Sequence, residues 1–140
     1  MTLSQLDEAR FVNLPCYRRP DGEVVVAETA TGVPFAIARM FTLRAPAGAE
    51  RGQHAHRLCS QLMLCVHGAI DVICDDGSNQ RTFKLDQGDT ALLVPPSIWC
   101  TVIFREKNSV LVVLCDRHYE EQDYIRDYGE FSAYRKAARP

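Results

Sequence analysis

The run Arg51-Gly52-Gln53-His54-Ala55-His56-Arg57 carries the densest chemistry in the chain. Imidazole is the side chain whose ordinary pKa lies closest to neutrality, so it moves protons readily and also ligates metals. On a strand the side chains alternate between faces. His54 and His56 therefore project side by side while Ala55 turns away. Two adjacent imidazoles suit proton transfer or the beginning of a metal site. They also suit a pair of histidines packed in a sheet wall, and residue type alone leaves all three open.

The elements that must position them read as strands. Candidates are Glu23–Glu28, Phe35–Leu43, Gln53–Arg57, Gln61–Val66, Ile70–Cys74, Arg81–Leu85, Thr90–Val94, Trp99–Phe104 and Val110–Cys115, all short and rich in β-branched and aromatic residues. Turn clusters such as Pro20-Asp21-Gly22, Asp75-Asp76-Gly77-Ser78-Asn79 and Pro95-Pro96-Ser97 separate them. The loops are too short for helical crossovers, so the pattern predicts an all-β sandwich or barrel rather than a parallel α/β fold. The tail differs: Tyr124, Tyr128 and Phe131 fall at helical spacing, which predicts one or two short helices over 119–139 packed on the barrel. One domain over 1–140 is expected, with 1–20 as an N-terminal arm or an exchanged strand.

Composition excludes several classes. The 140 residues are 46% hydrophobic and 24% charged with a net charge of -2, and no basic stripe suggests a nucleic-acid partner. No apolar run approaches membrane-spanning length, and the polar start MTLSQLDEAR is unlike a signal peptide. The six cysteines form no CxxC pair, and four of them (Cys65, Cys74, Cys100 and Cys115) sit in or beside apolar runs as small hydrophobes. A cytoplasmic protein with reduced thiols is expected.

Gly52, then His54-x-His56, Gln61 and Gly68 resemble the first motif of the cupin superfamily, a jelly-roll β-barrel. The stretch from Gly88 through Pro95 to Cys100 resembles the second. Metal-binding cupins place an acidic ligand where this chain has Gln61 and a last histidine where it has Cys100. A neutral amide is a weak ligand, so the resemblance implies metal-independent acid/base chemistry with no cofactor.

The runs ERGQHAHRLCSQLMLCVHGAIDVICDDG, LDQGDTALLVPPSIWC, SVLVVLC and YEEQDYIRDYGEF narrow the likeness to the WxcM-like nucleotide-sugar 3,4-ketoisomerases, from about Pro34 to Phe131. That resemblance implies a homodimer acting on a dTDP-linked 4-keto-6-deoxyhexose. It implies His54 and His56 as the proton-transfer pair, unranked. It implies substrate contacts from Gln61, Trp99 and a diphosphate clamp drawn from Arg51 and Arg57, with Arg39 or Arg44 reaching the same mouth, arginine being suited to phosphate by its planar fork. On a regular strand Arg51 and Arg57 would face away from the histidines, so they need a bend at Gly52 or a partner subunit. Two positions depart from the family pattern. The strand Arg39-Met40-Phe41-Thr42-Leu43 lacks the tyrosine common in relatives, and Cys100 stands where relatives often have histidine.

The competing expectations are a nucleotide-sugar 3,5-epimerase, a non-catalytic nucleotide-sugar-binding cupin and a metal cupin oxygenase. Such epimerases use a histidine supported by Asp and Tyr, a set not apparent in this sequence.

Overall fold

The computed structural model describes residues 2–138. In chain order the strands are β1 (Arg10–Asn13), β2 (Cys16–Arg19), β3 (Gly22–Val25), β4 (Glu28–Thr29), β5 (Gly32–Val33), β6 (Arg39–Arg44), β7 (Glu50–His56), β8 (Gln61–His67), β9 (Ile70–Asp75), β10 (Gln80–Leu85), β11 (Thr90–Val94), β12 (Trp99–Phe104), β13 (Val110–Cys115) and β14 (Tyr124–Ile125). One α-helix, α1 (Tyr128–Ala137), follows them, and short 3-10 turns stand at Leu6–Glu8 and Glu121–Asp123.

Ten of the strands form two antiparallel five-stranded sheets, ordered β1-β11-β8-β13-β6 and β10-β9-β12-β7-β14. Alternation assigns each strand an inner and an outer face. The inner faces meet in one core that includes Met63, Leu92, Leu111 and Val113 from the first sheet and Val72, Phe83, Val102 and Phe104 from the second. The outer face of the first sheet carries a second cluster, in which Leu62, Leu64, Ala91 and Leu114 are covered by Leu14 and Val33 from the N-terminal segment. The outer face of the second sheet carries a third, in which Ala55, Trp99 and Ile125 meet Phe131 of α1. No helix among the described residues is long and apolar enough to cross a membrane.

Several boundaries differ from expectation. The predicted strand Glu23–Glu28 divides into β3 and β4, and Phe35–Leu43 begins four residues late, at Arg39. Arg10–Asn13, in the segment expected as an arm or an exchanged strand, pairs with Thr90–Leu93 of the same chain. The expected helix through Tyr124 is absent. Tyr124 and Ile125 instead form a strand opposite His56 and Ala55. Pairing with the open edge of β7 satisfies their backbone, and the helix starts only after Asp127, whose side chain accepts a hydrogen bond from the Glu130 N–H. Arg139, the end of the predicted tail, lies outside the described residues.

Candidate active site

His54 and His56 stand on the same face of β7, with ring centroids 5.0 Å apart and planes almost perpendicular. His54 lies opposite Cys100, a core residue, so this is the inner face. Both rings are oriented from behind. His54 Nδ1 contacts the Gly52 carbonyl, which only an Nδ1–H can satisfy. His56 Nδ1 lies 2.8 Å from Asp123 Oδ2. The other Asp123 oxygen accepts the Leu58 N–H at 2.6 Å. A carboxylate so held accepts, so His56 carries its proton on Nδ1 and presents a lone pair on Nε2. That Nε2 is buried without a hydrogen-bond partner.

Burial and the neighbouring imidazole hold His54 down to about 4. Burial also lowers His56, outweighing the opposing pull of Asp123. Both rings are therefore neutral near pH 7 and free to accept protons.

β14 supplies the third ring. Because Tyr124 lies opposite His56 and Ile125 opposite Ala55, the tyrosine falls on the histidine face and the isoleucine under α1. The Tyr124 centroid is 4.4 Å from His56 and 5.0 Å from His54. Arg126 stacks on the same ring at 4.2 Å and is held by two hydrogen bonds to Glu121. The Tyr124 hydroxyl accepts a hydrogen bond from Arg39 Nη2 at 3.4 Å. Arg39 Nε is buried without a partner.

The remaining predicted residues fall in different places. Gln61 is buried on the inner face and its amide nitrogen donates to Cys115 Sγ at 3.7 Å. Arg51 is exposed; a bulge in β7 sets it opposite Val102 while His54 stays opposite Cys100. Positive φ at Gly52 (86°) and Gln53 (35°) makes that bulge. Arg51 thereby returns to the face of the histidines, which a regular strand would have denied it. Arg57 does not join them. Its Nη1 donates to the carbonyls of Gln122 and Tyr124, both at 2.9 Å, and so clamps the chain leading into and through β14. Trp99 also lies elsewhere: one residue before Cys100, it points to the outer face and packs edge-on against Tyr128 at 5.3 Å.

Asp123 and Tyr124 are the functional side chains that sequence reasoning missed. The set His56, Asp123 and Tyr124, absent from the sequence reading, is assembled here across 67 residues of chain. The one available signal was local: Asp-Tyr-Ile precedes a capping aspartate, so it can pair as a strand before the helix begins.

The cupin metal positions do not make a metal set. Gln61 gives its amide to Cys115, and Cys100 Sγ packs 3.8 Å from Cys74 Sγ in the core with its thiol pushed well up by Cys74 and burial. Ligand atoms of His56, Cys59 and Asp123 also lie within 4.8 Å of one another. There the His56 and Asp123 atoms already satisfy each other, so hydrogen bonding explains the cluster.

Two facing antiparallel sheets with paired imidazoles on the inner face define a cupin-type jelly-roll barrel. Within that class the chain belongs to the family described as "FdtA: WxcM-like, C-terminal", whose model matches residues 7–136. It is 35% identical over 128 residues to a TDP-4-oxo-6-deoxy-alpha-D-glucose-3,4-oxoisomerase from Aneurinibacillus thermoaerophilus, covering 91% of this chain and 92% of the relative. Among solved structures it resembles WlaRB, a TDP-quinovose 3,4-ketoisomerase from Campylobacter jejuni, with TM-score 0.85, 28% identity and coverage of 91% and 99% of the two chains. The sugar 3,4-ketoisomerase QdtA from Thermoanaerobacterium thermosaccharolyticum, solved in complex with TDP, superposes with TM-score 0.90 at 22% identity over 95% and 98% of the chains.

Proposed function

We propose that the chain is an isomerase that moves the keto group of a dTDP-4-keto-6-deoxyhexose from carbon 4 to carbon 3. The observation that carries the reading is the His56–Asp123 contact of 2.8 Å with Nε2 left unpaired and inward. In the substrate the C4 carbonyl acidifies the proton on carbon 3. A neutral imidazole removes it, an enediol forms, and a proton returned to carbon 4 leaves the ketone at carbon 3. His56 is the better oriented base, and His54 stands beside it as the second proton carrier. Such general acid/base help is worth about 10²–10⁴-fold. Tyr124, backed by the Arg39 guanidinium, is the donor placed to hold the developing enediolate oxygen. Arg51, exposed and on the face of the histidines, is the arginine assigned to the diphosphate. The chemistry runs through these side chains without a metal ion.

The chain is further proposed to act as a cytoplasmic homodimer. Met40 and Val66 are 59% and 50% exposed on the outer face of the first sheet, beside the buried cluster of Leu62 and Leu114, and a second copy of that sheet would cover the two exposed side chains. Light scattering would read the dimer mass directly. The six cysteines are all free thiols, as a reducing compartment requires.

Incubation with dTDP-4-keto-6-deoxyglucose in deuterated water tests the reaction. The isomerase places deuterium on carbon 4 of a 3-keto product. Label at carbon 3 or 5 with the ketone unmoved would make it an epimerase, which the His–Asp–Tyr set also suits. An unlabelled sugar would make it a binding protein.

A further inference from the structure

Asp123 and Tyr124 reach the histidines on very little secondary structure. β14 is two residues long and lies at the edge of its sheet beside β7. Glu121–Asp123 before it is a single 3-10 turn, in which the Asp123 N–H donates to the Glu120 carbonyl at 3.1 Å. So short an edge strand contributes too few ladder bonds to fix the direction of its side chains by itself.

Arg57 brackets this segment. Its backbone N–H donates to the Asp123 carbonyl at 2.8 Å. Its Nη1 donates to the carbonyls on either side, Gln122 and Tyr124, each at 2.9 Å. One residue thus holds three consecutive carbonyls. The next residue, Leu58, gives its N–H to Asp123 Oδ1, and Oδ2 is left to meet His56 Nδ1. On the outer side the Arg57 guanidinium lies 5.7 Å from the ring of Tyr134 on α1. Hydrogen bonds from a charged donor are the stronger kind, and a guanidinium presents its donors in a fixed fork.

We infer that Arg57 is a positioning residue for the proton transfer, holding Asp123 and Tyr124 in the one register that aims the carboxylate at His56 Nδ1 and lays the tyrosine against both imidazoles. Arg57 itself stands outside the inner face and acts through the backbone of residues 122–124. Its effect on turnover rests on the proposed isomerase reading, whereas its hold on the His56–Asp123 contact does not.

The role differs from the diphosphate contact expected of Arg57 by resemblance, and the two leave different marks. A contact to the diphosphate acts on binding, so its loss raises KM. A bracket acts on the geometry of the reacting groups, where a displacement of about 1 Å can cost about 100-fold in rate. With the carbonyls released, the Asp123 carboxylate can swing off Nδ1, and the imidazole is no longer held to the tautomer that presents Nε2 as a base.

The test compares Arg57→Met, which keeps the stem and removes the donors, with Arg57→Lys, which keeps a charged donor. One readout needs no turnover: the buried proton between His56 Nδ1 and Asp123 should give a protected proton resonance downfield of the amides. In Arg57→Met that resonance should broaden or vanish. With dTDP-4-keto-6-deoxyglucose kcat should fall about tenfold to 100-fold and KM should stay within about twofold. Arg57→Lys should recover the resonance and most of the turnover. Arg57→Gln, which keeps one neutral amide donor, should fall between the two and carries the test if Arg57→Met does not fold. Arg105→Met removes another charge-assisted bond, 2.7 Å to Asp71 on β9, and should lower the melting temperature without moving the resonance or kcat. A loss confined to KM with the downfield proton intact would overturn the inference and return Arg57 to the substrate. Turnover that falls alike in Arg57→Met and Arg105→Met, or a resonance missing from the unaltered chain, would overturn it as well. A resonance that depends on Arg57 in a chain that never isomerises the sugar would refute the proposed function and leave the hold on His56 and Asp123 standing.

Discussion

His56 donates from Nδ1 to Asp123 Oδ2 across 2.8 Å, and this contact decides which end of the imidazole can take a proton. Asn at position 123 keeps the shape and can turn its amide N–H toward the ring. The Nε2–H tautomer would then be favoured, and the inward lone pair would be lost. Asp123→Asn is expected to lower kcat by about 100-fold or more with the barrel still folded. Steady-state turnover beside a thermal melt checks it. A loss smaller than about tenfold would mean that Asp123 does not set the base.

Removal of either imidazole should be as severe. His54→Asn and His56→Asn are each expected to reduce turnover about 100-fold or more, since one takes and the other returns the proton. Exchange of the carbon 3 proton with solvent separates them. If His56 is the base, His56→Asn abolishes that exchange, while His54→Asn keeps some of it without releasing product. The reverse pattern would exchange the two roles.

Tyr124 has its hydroxyl 3.4 Å from Arg39 Nη2 and its ring against both histidines. Tyr124→Phe keeps the ring contacts and removes only the donor. A donor that acts on developing charge lowers kcat when removed and leaves KM nearly unchanged, by about 10²–10³-fold in well-aligned cases. An effect confined to KM would assign Tyr124 to binding instead.

The part of this site that was legible in the sequence is the part carried by one strand. His54 and His56 share a face because alternation is local, and the succession of strands along the middle of the chain followed from turn residues and β-branched runs. Tyr124 comes from a two-residue strand paired far along the chain and Asp123 from the turn just before it, and the local Asp-Tyr-Ile run does not name the strand they meet. Tyr124 also fell at helical spacing with Tyr128 and Phe131, and only the last two are helical. One further reading failed on parity. Trp99 is one residue from Cys100 on the inner face and so points outward, whereas Arg57, one residue past His56, faces Tyr134 as a regular strand implied. Arg51 would have failed likewise, but a bulge at Gly52 and Gln53 returns it.

The pH response has two signs to separate. His54 falls from an ordinary value of 6.5 to about 4 in the fold, and His56 is lowered as well. Between pH 6.5 and about 4 the unfolded chain binds protons that the folded chain refuses, so stability is lost as pH drops through that window. Over the same range the rings of the folded enzyme stay neutral and able to act as bases, so the acid limb of kcat/KM is expected below the ordinary imidazole range. His54→Asn should flatten the fall in melting temperature between pH 6.5 and about 4. An unchanged slope would remove His54 as its source.

Phe131 reaches the site without touching its inner face. It is a fully buried residue of α1, with its ring 5.6 Å from Trp99, in the cluster with Ala55 and Ile125. Ala55 and Ile125 are the outward neighbours of His56 and Tyr124 on their strands, so the helix presses the β7–β14 pair together from behind. Phe131→Ala is expected to cost about 3–5 kcal/mol, as large core truncations do. Because β14 contributes only two residues to the sheet, much of that loss should appear as local opening of β14. Turnover should then fall at temperatures well below the global melt, and amides of residues 124 and 125 should exchange faster. Phe83, buried in the main core on β10, supplies the comparison. Phe83→Ala should lower the melting temperature similarly while turnover at low temperature stays nearly native. Equal turnover losses in the two variants would mean that α1 stabilises the barrel as a whole and has no special hold on Tyr124 and Asp123.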